Sequence, residues 1–203
     1  MRLKEISVGI LAGGKSSRMG SNKAELRFKD SSFLEHILVQ AEDFSERLIS
    51  VDDIARYQWL VQKDDSGLKF AEDEYKDFGP VEGIYQILKN TTTKACLVIA
   101  TDMPYLTKGF FESFVEKYQG EDCMVLKADG KVEPLCSIYA RDCLPILNRF
   151  RETGIRRPRI LFDQVNTRYI NIEDIGYTSS VINNINTPGQ YQEFVERCPG
   201  VCQ

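Results

Sequence analysis

Histidine is almost absent from this 203-residue chain: His36 is the only one, and it lies in the apolar run Phe33 to Val39, the place of a helix-packing residue. With no imidazole set beside a serine or cysteine, a Ser-His or Cys-His hydrolase is disfavoured. Basic excess is absent too. Lys and Arg number 26 against 30 Asp and Glu, a net charge of −4, so the broad positive face that nucleic acid or an anionic membrane requires is missing. Positive charge must act locally. No apolar stretch is long enough to span a bilayer, and none follows Met-Arg-Leu-Lys-Glu at the length of a secretory signal. The expectation is a cytoplasmic protein that meets neither membrane nor nucleic acid. No Cys-x-x-Cys pair exists among the six cysteines. Cys96, Cys123, Cys136 and Cys143 sit in apolar contexts and read as buried thiols of a reducing compartment. Cys198 and Cys202 flank Pro199-Gly200 with the spacing of a redox pair or a zinc half-site, but no His or further Cys stands nearby to complete it, and they read as ordinary tail residues. Repeats, low-complexity segments and Pro/Ser-rich linkers are also lacking, so residues 1–203 are expected to form a single domain with a core large enough to stand alone.

What is there is an alternation of short apolar runs with longer helical patterns, the mark of a mostly parallel sheet flanked by helices. Strands are expected at Ile6–Ala12, Arg47–Val51, Leu68–Glu72, Cys96–Thr101, Cys123–Lys127, Val132–Tyr139 and Arg168–Ile172. Ser32 and Glu35 have capping-box spacing and predict a helix with Phe33, Ile37, Leu38 and Ala41 on one face. Pro80 suits the first turn of a helix that turns Ile84, Ile87 and Leu88 inward. Asp129-Gly130 between two strands reads as a hairpin, which makes the sheet mixed.

The chemistry concentrates in Leu11-Ala12-Gly13-Gly14-Lys15-Ser16-Ser17-Arg18-Met19-Gly20-Ser21-Asn22-Lys23, a glycine-rich turn after a buried strand. Gly13 and Gly14 let backbone N–H groups close on phosphate oxygens, and Lys15, Arg18 and Lys23 oppose their charge. The spacing fits neither G-x-G-x-x-G nor a P-loop. Taken alone, the loop could also be a flexible basic segment that binds nothing. A second element, Ile99-Ala100-Thr101-Asp102-Met103-Pro104, ends an apolar strand in a carboxylate at the edge where open α/β sheets bind ligands. A carboxylate beside a triphosphate needs a cation between them, so Asp102 is assigned to Mg²⁺; it stands too far upstream to cap the helix near Thr107. A third element carries Asp73 and then Gly79-Pro80-Val81-Glu82-Gly83, where a carboxylate and backbone groups can meet the paired N–H and amino donors of guanine.

In order and spacing these elements resemble the molybdenum cofactor guanylyltransferase family of nucleotidyltransferases, and the resemblance runs through nearly the whole chain. It implies a three-layer Rossmann-like nucleotidyltransferase fold. It also implies transfer of GMP from MgGTP to the terminal phosphate of molybdopterin, giving molybdopterin guanine dinucleotide and pyrophosphate, with transient protein partners possible in cofactor delivery. Arg18, Lys23 and Asp102 would be catalytic, with Mg²⁺ on Asp102. GTP would be held by Leu11, Ala12, Gly13, Gly14, Lys23, Asp73, Gly79, Pro80 and Asp102. Asn183-Asn184-Ile185-Asn186-Thr187-Pro188 is similar to the family's N-x-N-T-P signature, and Gly154-Ile155-Arg156-Arg157 to its G-x-R-R segment; both imply molybdopterin contacts at Asn184, Asn186 and Arg156. This favours an anion site over a solvated helix face for the basic run Arg149 to Arg159. Four departures stand out: Val81 for a Leu, Glu82 where a small residue is common, Glu133 for a His before Pro134, and Gly189 for a Glu. Glu82 throws the shape of the base pocket into question. The competing readings are cytidylyl transfer to molybdopterin, nucleotidyl transfer to a sugar phosphate, and a nucleotide-binding module without turnover.

Overall fold

Alternating apolar residues must bury both faces of a central sheet, and the computed structural model shows how they do so for residues 1–13, 24, 26–28, 31–61 and 67–197. The strands are β1 (Ser7–Leu11), β2 (Arg27–Phe28), β3 (Ser31–Ser32), β4 (Glu46–Val51), β5 (Lys69–Glu72), β6 (Ala95–Ala100), β7 (Cys123–Ala128), β8 (Lys131–Ala140) and β9 (Thr167–Asn171). The α-helices are α1 (Phe33–Gln40), α2 (Gln58–Val61), α3 (Pro80–Asn90), α4 (Lys108–Glu116), α5 (Leu144–Thr153), α6 (Arg159–Phe162) and α7 (Pro188–Arg197). All seven expected strands are present within a residue or so of their ends, in one sheet of order β5-β4-β1-β6-β8-β7-β9. Only β8 runs against its neighbours, so the sheet is mixed and mostly parallel. The small pair β2-β3 is an addition that the apolar pattern did not signal.

Successive residues of each strand point to opposite faces, and two apolar layers result. Val8, Ile10, Ile49, Leu97 and Ile99 pack beneath α1 and α4 through Leu34, Ile37, Phe110 and Phe114. Leu48, Cys96, Val98 and Val125 pack on the other side with Ile84 and Ile87 of α3 and Leu147 and Phe150 of α5. Gly9 makes the second contact possible, since a Cβ there would fall 2.4 Å from the Ile87 side chain. The capping box holds as expected: Ser32 Oγ accepts the Glu35 N–H at 3.2 Å, and Glu35 accepts that of Ser32 at 2.7 Å. Pro80 opens α3, and Asp129-Gly130 turns the β7-β8 hairpin with both residues at positive φ. Cys96, Cys123, Cys136 and Cys143 are free and buried. Among the described residues no helix is long and apolar enough to cross a membrane.

Two features of this topology place the site. Strand order reverses at β1, which lies between β4 and β6, so the crevice beyond the carboxyl ends of these strands is a topological switch point. In β8, pairing with β7 jumps from Ser137 to Glu133, so Pro134, Leu135 and Cys136 bulge out of that ladder. The bulge is fastened by Ser137 Oγ, which donates to the Glu133 carbonyl at 2.7 Å, and by the Tyr139 hydroxyl, which donates to the Pro134 carbonyl at 2.8 Å.

Candidate active site

A cavity of about 560 Å³ opens at the switch point, and its walls are the ends of consecutive parallel strands. Leu11, Ala12 and Gly13 follow β1, Ser50 and Asp52 belong to the end of β4, Asp73 follows β5, and Ala100, Thr101 and Asp102 end β6. Asp77, Gly79, Pro80 and Gly83 close one side, and Leu135 of the bulge and Asn184 close the other. Of the residues singled out from sequence, Leu11, Ala12, Gly13, Asp73, Gly79, Pro80, Asp102 and Asn184 therefore share one cavity. Gly14, Lys15, Arg18 and Lys23, and likewise Cys198 and Cys202, lie outside the described residues.

The backbone at the end of β1 is tied down from three sides. The Leu11 carbonyl accepts from the Thr101 hydroxyl at 2.5 Å and the Thr101 N–H at 3.2 Å. Ala12 and Gly13 both donate to the Ser50 carbonyl, and the buried Tyr57 hydroxyl donates to the Ala12 carbonyl at 2.6 Å. These bonds fix the backbone that enters the glycine-rich segment. Gly83 does the same for α3: a Cβ there would sit 2.6 Å from Leu11 and 2.8 Å from Ser50 Oγ.

Asp73 is half-buried, its N–H held by the Val51 carbonyl and its carboxylate accepting from Ser50 Oγ at 3.1 Å. Burial pushes its pKa up to about 6; the Ser50 bond opposes the rise, and the carboxylates of Glu82 and Asp52 add to it. Asp102 stands directly after β6, and its carbonyl accepts the Ile185 N–H at 2.9 Å, which brings the asparagine-rich segment alongside. Phe33, Tyr105 and Tyr191 pack around Phe194 or each other and seat α7 behind that segment. The Glu133 carboxyl is raised by burial and by the Asp102 carboxylate, which makes the two acids electrostatic neighbours.

Several readings change. Arg156 and Asn186 do not line the cavity: Arg156 lies behind the wall, donating to the Asp77 carbonyl at 3.4 Å and covering the Phe78 ring, and the Asn186 N–H donates to Gln190. The basic run is not one anion site. Arg151 is only 4 % exposed and is consumed by Glu82 and Glu74, while Arg149 donates to Gln164 and Arg159 to the Val132 carbonyl. Nor does Glu82 intrude on the cavity, for it is wholly buried on the far side of α3. Ser50, Asp52, Asp77 and Leu135 line the cavity without having been singled out. Asp52 had the same signal as Asp73 and Asp102, a carboxylate just past a parallel strand.

Comparison with known proteins agrees with this geometry. Residues 8–167 match the MobA-like NTP transferase domain family. A probable molybdenum cofactor guanylyltransferase of Carboxydothermus hydrogenoformans is 29 % identical over 199 residues, covering 96 % of this chain and 97 % of the relative. Another from Clostridium perfringens is 34 % identical over 144 residues, 70 % of each chain. The crystal structure of molybdopterin-guanine dinucleotide biosynthesis protein A from Archaeoglobus fulgidus superposes with a TM-score of 0.81 at 26 % identity, covering 96 % of this chain and 99 % of that one.

Proposed function

The chain belongs to the MobA-like NTP transferase family, and from that premise we propose that one domain spanning residues 1–203 transfers GMP from GTP to the terminal phosphate of molybdopterin in the cytoplasm. An oxygen of that phosphate attacks the α-phosphorus, the bond to the β-phosphate bridging oxygen breaks, and pyrophosphate leaves. The nucleophile is already ionised, so no general base is required; the protein's task is to align two anions and offset the charge that grows between them. The observation that carries this reading is the convergence of Leu11–Gly13, Asp73 and Asp102 on one cavity at the switch point.

Within it, Leu11, Ala12 and Gly13 line the base and ribose, Asp73 accepts from guanine, and Gly79 and Pro80 shape the pocket edge. Gly14, Arg18 and Lys23 serve the phosphates, and molybdopterin is assigned to Asn184 in the cavity wall and to Asn186 and Arg156 outside it. Mg²⁺ fits the donor chemistry of the cavity: Asp102, which lines it, offers the hard oxygen that Mg²⁺ takes one or two at a time beside phosphate and water. When bound there it would screen the phosphoryl oxygens. The glycine-rich loop amides, Arg18 and Lys23 neutralise the remaining charge.

The test is pyrophosphate release with molybdopterin across GTP, ATP, CTP and UTP, paired with nucleotide protection against thermal unfolding. Turnover confined to GTP is expected. Preference for CTP would make the chain a cytidylyltransferase, and protection without turnover would make it a binding module.

A further inference from the structure

Glu82 is a charged residue with no exposed surface, on a helix face that looks away from the cavity, yet its bonds lead back to it. Its Oε1 accepts the backbone N–H of Glu74 at 2.9 Å and of Tyr75 at 3.3 Å, the two residues that follow Asp73. Gln86 Nε2 donates to the same oxygen at 2.8 Å, and Arg151 Nε donates to Oε2 at 2.5 Å. Arg151 in turn gives Nη2 to Glu74 Oε2 at 2.7 Å, and Lys89 takes the other oxygen of Glu74. The Arg151 guanidinium lies between the rings of Tyr75, 4.4 Å to centroid, and Tyr85, 3.8 Å. Tyr75 packs edge-on against Phe78, next to Gly79. The segment from Asp73 to Gly79 is thus pinned at Glu74 and Tyr75 by Glu82, at the Tyr75 ring by Arg151, and at Phe78 through Tyr75.

A buried ion pair is a poor device for stability, because desolvating both charges costs about as much as their attraction returns. What it does supply is a fixed geometry. Two orphan amides bonded to one carboxylate leave the preceding residue little freedom, and that residue is Asp73. We infer that Glu82, locked by Arg151, is a positioning residue that sets base selectivity by fixing the Asp73–Gly79 segment from behind. The inference rests on the proposed reading of Asp73 as the base-recognising group and extends it to residues that touch no substrate.

The decisive variant is Glu82→Met/Arg151→Met, which removes both charges together and leaves no unpaired ion, while methionine keeps the contact with the tyrosine rings. Steady-state kinetics with GTP and ATP in Mg²⁺ should show kcat for GTP within about threefold of the parent, KM raised, and the GTP-to-ATP ratio of kcat/KM reduced about tenfold or more. Glu82→Gln, which keeps an acceptor for the two amides, should retain most of the preference. Hydrogen exchange at the Glu74 and Tyr75 amides should quicken in the double variant and not in Glu82→Gln. A double variant with the parent's selectivity and amide protection would overturn the inference. Should it not fold, Glu82→Asp decides the matter: the charge stays but withdraws by one methylene, and unchanged selectivity would be equally fatal. A parent chain that prefers another base refutes the guanine reading alone, and the positioning role is then judged by whether that other preference is lost. A parent with no base preference refutes both.

Discussion

If Asp73 accepts the two donors of guanine, it must be ionised to do so, and in the free protein its pKa stands at about 6. Nucleotide binding should therefore take a proton off it. With that value the carboxylate fraction is roughly nine-tenths at pH 7 and about one in eleven at pH 5, so GTP affinity should fall about tenfold over the interval. The triphosphate titrates in the same range, but ATP carries the same triphosphate, so the ratio of GTP to ATP affinity isolates the base site. Calorimetric titrations of both nucleotides with Mg²⁺ from pH 5 to 8 should show that ratio rising about tenfold to pH 7 and then levelling. At pH 6, comparison of two buffers of different ionisation enthalpy should show release of about half a proton per GTP bound. Asp73→Asn should flatten the profile at a low ratio. A strong GTP preference that does not change between pH 5 and 7 would refute the reasoning, because a group that reads donors through its charge cannot be indifferent to losing it. Stability should run the other way. The folded state keeps the Asp73 proton that the unfolded chain gives up near its ordinary value of 3.8, so the free protein loses stability as pH rises from there through about 6, and Asp73→Asn should melt above the parent at pH 7 but not at pH 4.

Asp102→Ala should lower Mg²⁺-dependent turnover by roughly 10³-fold with a melting temperature close to the parent's, since the residue follows a strand end outside the apolar core; near-normal turnover would remove it from the site. Gly83→Ala should raise KM for the nucleotide and destabilise the chain together, because the added methyl meets Leu11 and Ser50 Oγ in the cavity wall; a neutral effect in binding assays would mean that α3 can retreat freely. Glu46, at the opposite end of the sheet, is raised by burial but held at about 2 by bonds from Lys69 and the Thr92 N–H and hydroxyl. Its stabilisation is present above about 4.5 and lost as pH falls through about 2, so Glu46→Gln should cost ~1 kcal/mol in denaturant melts at pH 7, discounted for solvent screening, and only about a tenth of that at pH 2, with turnover unaltered.

The sheet was legible because its seven strands are short apolar runs punctuated by Gly, Pro and acidic residues, and a buried parallel strand can hardly look otherwise. Strand order was not legible, and with it went the knowledge that Asp52 ends a strand beside β1. The β2-β3 pair has two residues per strand, too few for any period to show. That Asp73 and Asp102 line the cavity was legible because a carboxylate stopping an apolar strand marks the carboxyl edge of the sheet. The run from Arg149 to Arg159 misled for the converse reason: clustered charge in sequence gave no hint that Arg151 points into α3 while Arg156 points past it. Glu82 looked like an intrusion because a helix face cannot be assigned from one position, and only the partners Glu74, Tyr75 and Arg151 reveal its side.

The reversed strand β8 has an evolutionary consequence. Because it runs against β6, it arrives at the ligand edge with its beginning, so Leu135 reaches the cavity from a hairpin and not from a loop between strand and helix. The half of the cavity proposed to hold the nucleotide is written into β1, β4, β5 and β6, whose sequences also answer to the core; the opposite wall is written into a bulge fastened by Ser137 and Tyr139. Insertions or exchanges between Asp129 and Leu135 can therefore remodel what docks opposite the nucleotide while the donor site stays intact. The two proposed sides of the cavity, donor and acceptor, are thus carried by separate stretches of the chain and can be altered one at a time.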